Sequence, residues 1–182
     1  MTLERMNDKR IVIYCSASYT IDPKFNEAAR QMVRALCKKG YSFVSGGTVK
    51  GTMGVLSEEI QACGGYHLGI LPRFMQGLEY TGVSEVLWTD TMSQRKALMW
   101  EGTCAAIALP GGIGTLDELM ETLTLAKLGR YSGRIFALNI DGFYDKLIDW
   151  LDYLVDTRML DSDTRELIRF PRTVEELTSY FD

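Results

Sequence analysis

Short apolar runs alternate with longer amphipathic segments along most of this chain, and this alternation limits the possible folds more than any other feature. The first run, Ile11 to Cys15, is continuously apolar, as expected for a strand buried on both faces of a sheet. A helix signal follows at Asp22-Pro23, where a capping side chain precedes a proline in the first helical position. Strands that alternate with helices form parallel sheets. The sequence therefore predicts an α/β fold in which a doubly wound parallel sheet carries helices on both faces.

The pattern repeats without a linker or an internal repeat, so we expect a single domain over residues 1–182. The helix that begins at Pro23 should stop at Lys38-Lys39-Gly40. Further strands are predicted at residues 41–44, 68–71, 85–88, 105–109 and 134–140. Further helices are predicted at residues 55–63, 93–102, 115–128 and 143–155, and a short one at 174–180 in a polar tail, 161–182. Residues 72–84 show no obvious element, and irregular segments of this length are usually functional or mobile.

The composition excludes several kinds of site and partner. His67 is the single histidine, so no histidine-based metal site and no histidine-rich acid/base machinery can form within one chain. The net charge is −4 and the 20 basic residues are spread along the chain, which argues against a nucleic-acid or anionic-membrane partner. The four cysteines form no Cys-x-x-Cys pair, which predicts reduced thiols in a cytoplasmic protein rather than zinc or disulfides. Residues 1–10 lack the apolar core of a targeting signal, and no apolar run approaches the roughly 18 residues of a membrane span.

The sharpest motif follows the predicted strand 105–109 and reads Pro-Gly-Gly-Ile-Gly-Thr-Leu-Asp-Glu from Pro110 to Glu118. Glycines allow backbone N–H groups to surround an anion, and the N-terminus of the next helix adds about half a positive charge. The motif therefore predicts a phosphate-binding loop made of Gly111, Gly112, Ile113, Gly114 and Thr115. It matches neither the P-loop of NTPases nor the dinucleotide fingerprint. Alternatively, Thr115 and Glu118 form a helix capping box, and the glycines serve only a tight turn.

Two basic residues, Arg95 and Lys96, lie in the segment Met-Ser-Gln-Arg-Lys-Ala-Leu-Met at residues 92–99. Glu121 follows Glu118 by one helical turn, and two carboxylates beside a phosphate-binding loop are unfavourable without a cation between them. The planar guanidinium of arginine fits a phosphate or a carboxylate in two contacts. We therefore expect Arg95-Lys96 to supply the cation. The alternative is a solvated helix face.

A second glycine-rich loop, residues 45–54, contains Gly46 and Gly47 and also joins a strand to a helix. Ser16 follows the first strand and is a further candidate donor, although serines in turns more often bond the local backbone. In open parallel sheets, ligands bind at the carboxyl ends of the strands. Two such loops in one small protein favour a nucleotide held by its phosphate at one loop and by its sugar or base near the other.

Arg95-Lys96 together with the Pro-Gly-Gly-x-Gly-Thr-x-x-Glu motif resembles the LOG family, the cytokinin riboside 5′-monophosphate phosphoribohydrolases. The resemblance runs from about Ile11 to Trp150 and implies a Rossmann-like fold in a homodimer or an assembly of dimers. It also implies hydrolysis of the N-glycosidic bond of AMP or N6-substituted AMP, which releases the free base and ribose 5-phosphate. No metal and no organic cofactor are implied.

The resemblance also assigns roles to individual positions. It implies that Arg95 and Glu118 are catalytic. By analogy with glycosidases, we expect Glu118 to stabilise an oxocarbenium-like sugar cation and to orient or deprotonate the attacking water. Glu79, in the irregular segment, is the nearest candidate for a further family glutamate, and it aligns only if one residue is deleted. The remaining substrate-binding candidates are Lys96, Gly111, Gly112, Ile113, Gly114, Thr115, Leu116, Asp117, Thr124, Met92, Gly46, Gly47 and Ser16.

Ser93, Thr48 and Leu125 depart from the family pattern, which carries histidine, glycine and tryptophan there in many members. These departures leave the catalytic pair intact and the base specificity open. A non-catalytic carrier of a nucleotide or of molybdenum cofactor is the alternative function, because such carriers share this fold. Binding alone would not require both Arg95 and Glu118. A pyridoxal-phosphate decarboxylase is disfavoured, because Lys96 beside Arg95 suits an anion better than a Schiff base.

Overall fold

The computed structural model describes residues 9–182. The sequence prediction that residues 1–10 carry no targeting signal falls mostly on residues 1–8, which lie outside the described residues. The described strands are β1 (Arg10–Tyr14), β2 (Ser42–Ser45), β3 (His67–Pro72), β4 (Glu85–Thr89), β5 (Ala105–Ala108), β6 (Arg134–Ala137) and β7 (Ile168–Arg169). They form one sheet in the order β4-β3-β2-β1-β5-β6-β7. Every neighbouring pair in it is parallel.

Helices cover both faces of this sheet, and the predicted α/β fold is confirmed. They are α1 (Pro23–Lys38), α2 (Gly51–Ala62), α3 (Met92–Trp100), α4 (Ile113–Lys127), α5 (Asp145–Asp156), α6 (Ser162–Glu166) and α7 (Val174–Ser179). Asp22 caps α1 by accepting a hydrogen bond from the Lys24 N–H, and Pro23 occupies the first turn. The predicted start of this helix, with Asp22 as the cap and Pro23 in the first turn, is therefore confirmed.

The strand residues alternate between two apolar layers. Ile11 and Ile13 of β1 pack with α1, α2 and α7 on one face of the sheet. Val12 and Tyr14 pack with α3, α4 and α5 on the other face. Because β1 lies in the middle of the sheet and is buried on both faces, its sequence is continuously apolar.

Several element boundaries differ from the predictions for local reasons. Helix α2 begins at Gly51 rather than at residue 55, and α4 begins at Ile113 rather than at residue 115, because each helix incorporates the end of its glycine-rich loop. Strand β6 ends at Ala137 rather than at residue 140, since the chain turns there into a 3-10 segment, Ile140–Gly142, with φ of 52° at Asp141. The short elements α6 and β7 lie in the predicted polar tail and were not predicted.

His67 is the first residue of β3 rather than a residue ahead of it, and it is buried. Its Nε2 lies 2.8 Å from the Ser45 Oγ, and burial lowers the pKa of the imidazole to about 4. Within residues 9–182, no helix is both long and apolar enough to cross a bilayer. The same residues contain no group of three or more His, Cys, Asp or Glu side chains arranged to hold a metal ion.

Candidate active site

A cavity of about 370 Å³ opens at the carboxyl edge of the sheet, the edge at which parallel α/β sheets bind ligands. Its walls come from the loops after β1, β2 and β5, the first turns of α2 and α4, the 3-10 segment after β3, and α3. The structure thus brings together residues from both predicted glycine-rich loops. The predicted site residues that line the cavity are Ser16, Gly46, Met92, Arg95, Gly112, Gly114, Thr115 and Glu118.

Arg95 is fixed in the floor of the cavity from two sides. Its Nε donates a hydrogen bond to the Ile70 carbonyl of β3 at 3.0 Å, and its Nη1 donates to Glu118 Oε1 at 2.9 Å. Only 10% of the Arg95 side chain is exposed. Helix α3 is anchored just before it by a capping box between Thr91 and Gln94. Arg95 therefore does not lie on a solvated helix face, and that alternative is wrong for this residue.

Glu118 lies on the second turn of α4 with 13% of its side chain exposed. Burial raises the pKa of its carboxyl above the ordinary value, and the nearby Arg95 guanidinium opposes that rise. Arg95 donates to Oε1, and among residues 9–182 no side chain donates to Oε2. A carboxylate held at one oxygen and raised in basicity is suited to orient or deprotonate a water molecule.

The first turn of α4 forms the other side of the cavity. Gly112 caps the helix without a side-chain hydrogen bond, so Thr115 and Glu118 do not form the capping box that the sequence allowed. The Thr115 side chain instead lies against Gly111, where a Cβ would overlap it. The N–H groups of a first helical turn have no intrahelical acceptors and carry the positive end of the helix dipole. This end of the cavity is therefore suited to an anion.

Lys96 is not among the residues that line the cavity. Its Nζ pairs with Asp117 at 3.0 Å and also with Glu121, and these carboxylates raise the pKa of the ammonium. Arg95 and Lys96 thus neutralise Glu118 and Glu121 respectively. The sequence predicted that these two residues supply the cation, but not which carboxylate each of them binds. Four further predicted binding residues lie outside the cavity on an open surface of α4: Ile113, Leu116, Asp117 and Thr124.

The second glycine-rich loop packs directly on Arg95. A Cβ at Gly46 would lie 2.6 Å from Arg95 Nη2 and 2.8 Å from Met53 Sδ, so only glycine leaves room for both side chains. Gly47 adopts φ of 62° and approaches Gly69 of β3 rather than the cavity. Ser16 is buried at the cavity wall and its Oγ accepts a hydrogen bond from the Ser18 N–H, the local role that serines in turns often have.

The structure does not bring Glu79 into the cavity. Its Oε2 accepts a hydrogen bond from the Gly77 N–H at 2.6 Å, and its backbone bridges to Thr48. The segment 72–84 is thereby attached to the loop after β2, since the Val49 N–H also donates to the Leu78 carbonyl at 3.0 Å. Neither Glu79 nor Gly47 lines the cavity.

Sequence reasoning missed several residues that line the cavity, mainly methionines and a thiol. Cys15 follows β1, and burial raises the pKa of its thiol. Met53, Met75 and Met99 come from three separate segments. No local pattern identifies these methionines as site residues, because isolated methionines on helices are ordinary core residues.

The matching family model is described as "Possible lysine decarboxylase" and covers residues 53–181. Among curated relatives, the cytokinin riboside 5′-monophosphate phosphoribohydrolase LOG2 of Arabidopsis thaliana is 38% identical over 162 residues, which are 88% of this chain and 76% of the relative. The enzyme of the same description from Oryza sativa subsp. japonica, LOG, is 35% identical over 175 residues, 95% of this chain and 72% of the relative.

Solved structures share the fold at lower identity. The molybdenum cofactor carrier protein of Chlamydomonas reinhardtii superposes with a TM-score of 0.73 at 16% identity, covering 95% of both chains. The molybdenum cofactor binding protein of Rippkaea orientalis superposes with a TM-score of 0.71 at 20% identity, again covering 95% of both chains. At such identities the likeness establishes the Rossmann-like fold and nothing further.

Proposed function

The chain belongs to the LOG family of cytokinin riboside 5′-monophosphate phosphoribohydrolases, and we propose that its cavity hydrolyses the N-glycosidic bond of AMP or N6-substituted AMP. The products are the free base and ribose 5-phosphate. The observation that carries this proposal is the buried pair of Arg95 and Glu118, 2.9 Å apart at the bottom of a cavity with an anion-binding end.

The nucleotide phosphate binds the backbone N–H groups at the start of α4, between Gly112 and Thr115. Glu118 lies one turn further along the same helix, so the ribose of a bound nucleotide lies over its carboxylate. Cleavage of the bond from C1′ to the base leaves an oxocarbenium-like sugar. Glu118 stabilises that charge and directs the attacking water to C1′.

Arg95 has two tasks in this mechanism. It holds the Glu118 carboxylate in one orientation through Oε1, and its guanidinium supplies positive charge where the departing base accumulates electrons. Both side chains are more than four-fifths buried, at 10% and 13% exposure, so these interactions act in a medium of low dielectric.

The residues of the cavity do not fit the decarboxylation named in the description of the family model. Pyridoxal phosphate requires a lysine that forms a Schiff base. Lys96 is paired with Asp117 and Glu121 outside the cavity, and none of the residues that line the cavity is a lysine. No step through that cofactor is proposed.

We further propose a homodimer or an assembly of dimers in the cytoplasm. The support for dimers is the exposed apolar side of α4, where Ile113 is 85% exposed and Leu128 65% exposed, with Leu116 and Met120 between them. An apolar surface of this kind is typical of a protein–protein interface. Light scattering coupled to size-exclusion chromatography measures the assembly, and a monomeric mass at micromolar concentration contradicts it.

The reaction is tested by incubating the protein with AMP and quantifying adenine and ribose 5-phosphate by liquid chromatography. Glu118→Gln should reduce turnover by about 10²-fold or more, because it removes the negative charge and keeps the side-chain shape. Glu166→Gln, on the exposed face of α6, is the matched control and should keep the wild-type rate. Nucleotide binding without base release by the wild type would support a carrier and overturn the proposal, as would near-normal turnover by Glu118→Gln.

A further inference from the structure

One end of the cavity is lined by methionine side chains from three different segments. Met53 lies in the first turn of α2, Met75 ends the 3-10 segment after β3, and Met92 is the first residue of α3. Met53 is held in place, since its Sδ accepts a hydrogen bond from Thr48 Oγ1 at 3.7 Å and lies against Gly46. We refer to Met53, Met75 and Met92 as the methionine wall.

The order of the strands places this wall opposite the anion-binding end. Gly112 to Thr115 follow β5, whereas the three methionines follow β2, β3 and β4. The sheet order β4-β3-β2-β1-β5 separates β5 from β3 by three strand spacings, or about 14 Å at roughly 4.8 Å each. Glu118 lies one turn along α4 from Thr115, and the Arg95 guanidinium, which binds it, lies against Gly46 after β2. A nucleotide with its phosphate at α4 and C1′ at Glu118 therefore directs its base toward the methionine wall.

The wall offers the base no polar side chain. Thioether groups make favourable contacts with aromatic rings, and their flexible side chains adapt to different shapes. The two serines that line the cavity, Ser16 and Ser18, follow β1, the neighbour of β5 in the sheet, and not the strands that carry the wall. Ser16 Oγ accepts a hydrogen bond from the Ser18 N–H, and Ser18 Oγ bonds with Thr20. Arg95 is the one cationic side chain among the described residues that line the cavity, and a ring-nitrogen acceptor such as N7 is present in adenine and guanine alike.

We propose that Met53, Met75 and Met92 form a base subsite that accepts purine nucleoside 5′-monophosphates by shape and stacking and does not distinguish a 6-amino from a 6-oxo base. The inference rests on the proposed hydrolysis. Selectivity then comes from the ribose 5′-phosphate, which binds at α4, and the wall limits only the size of the base and of its substituents.

The first test compares kcat/KM for AMP, IMP and GMP under one set of conditions. The three values should agree within about tenfold, whereas a site that hydrogen-bonds position 6 of the base rejects the wrong group by about 10⁴-fold or more. Adenosine, which lacks the phosphate, should be hydrolysed at least about 10²-fold less efficiently. A difference of more than about tenfold between AMP and either oxopurine nucleotide, in either direction, would overturn the proposal.

The second test narrows the wall with Met75→Phe and uses AMP and N6-benzyl-AMP as the probes. The ratio of kcat/KM for N6-benzyl-AMP to that for AMP should fall at least about tenfold, because the wall then has less room for a substituted base. Met159→Leu, at a 77% exposed methionine outside the cavity, is the matched control and should leave the ratio unchanged. An unchanged ratio in Met75→Phe contradicts the assignment of the wall.

These outcomes are separable from failure of the proposed hydrolysis. If the wild type releases no base from any nucleotide, the hydrolysis proposal fails. Titration calorimetry then measures the dissociation constants of AMP, IMP and GMP, which test the base subsite independently of hydrolysis. Dissociation constants within tenfold of one another support a subsite that ignores position 6. Dissociation constants that differ by 100-fold or more overturn it.

Discussion

Two buried glutamates, on opposite faces of the sheet, each bind arginine, and one of them, Glu118, lines the cavity of the candidate site. Glu59 of α2 is bound by both oxygens: Arg34 Nε and Nη2 donate at 2.7 and 3.1 Å, and Arg30 Nη1 donates at 3.4 Å. These arginines lower the pKa of its carboxyl, chiefly through the Arg34 hydrogen bond. Glu118 of α4 receives one arginine hydrogen bond, at Oε1, and burial raises its pKa.

The two pKa values move in opposite directions because arginine hydrogen bonds outweigh burial at Glu59, whereas burial outweighs the arginine at Glu118. At Glu59, the Arg34 guanidinium donates two hydrogen bonds to the carboxylate while half of the Arg34 side chain remains exposed to solvent. Glu118 receives a single arginine hydrogen bond, and the loss of solvent around its own carboxyl is the largest cause of its raised pKa. A fully bound carboxylate stabilises helix packing, whereas a carboxylate with an unbound oxygen beside a cavity is available for chemistry.

The largest effect should come from removing each arginine in turn. Arg95→Ala should lower kcat/KM for AMP by at least about 10²-fold, because it removes the positive charge and the support of Glu118 together. Arg34→Ala is the matched change on the other face and should keep the wild-type kcat/KM. Circular dichroism checks that both variants fold. Equal losses of activity in the two variants would contradict the distinction between the two glutamates.

A smaller effect is expected from adding one methyl group on each face of the sheet, at Gly46 beside Arg95 and at Gly65 just after α2, the helix that carries Glu59. Gly46→Ala places a Cβ 2.6 Å from Arg95 Nη2, so the guanidinium must shift, and kcat/KM should fall about 10- to 100-fold. Gly65→Ala places a Cβ 2.9 Å from Cys37 Sγ on the face that carries Glu59, and it should lower the melting temperature without changing kcat/KM. Steady-state kinetics measures kcat/KM, and thermal unfolding measures the melting temperature, of both variants. A loss of kcat/KM in Gly65→Ala as large as that in Gly46→Ala would contradict the distinction between the two faces.

Glu59→Gln should act on stability alone. The substitution removes charge-assisted hydrogen bonds to two arginines, and since these arginines stay partly solvated, the free energy of unfolding should fall by only about 1–2 kcal/mol. Urea denaturation measures this loss. The folded variant should retain wild-type turnover of AMP, and a large decrease in kcat would show that Glu59 belongs to the active site after all.

The sequence predicted the order of elements and the two glycine-rich loops well, because these features are local. Continuous apolar runs identified β1 and β5, and the Asp22-Pro23 pair located the start of α1. The predictions were poorer where the outcome depends on tertiary contacts. Arg95 and Glu118 are 23 residues apart, and their pairing requires α3 and α4 to meet over the sheet.

The same limit explains the residues that were misplaced or missed. Lys96 is the neighbour of Arg95 in sequence, yet it points to Asp117 and Glu121 because adjacent helical positions lie about 100° apart around the axis. Met53 and Met75 line the same cavity because β2 and β3, which they follow, are neighbours in the sheet. The Thr115–Glu118 spacing matched a capping box, and the structure instead uses Glu118 as the partner of Arg95.

The smallest expected difference is in the response of the two glutamates to acid. Glu118 acts as a carboxylate with a raised pKa, so kcat should fall on acidification at a pH above the ordinary carboxyl value. Glu59 has a lowered pKa, so its contribution to stability is present above the unfolded-state pKa and is lost only as the pH falls through the lower folded value.

As the pH is lowered, kcat should therefore fall at a higher pH than the one at which the contribution of Glu59 to stability is lost. Buried His67, with a pKa of about 4, also lowers stability as the pH falls from 6.5, because the unfolded chain binds that proton first. His67 is present in both wild type and Glu59→Gln, so its effect cancels in the difference between their melting temperatures. That difference therefore measures the contribution of Glu59 alone. That difference should persist at the pH where half of kcat is lost, and its disappearance at or above that pH would show that the two carboxylates titrate alike.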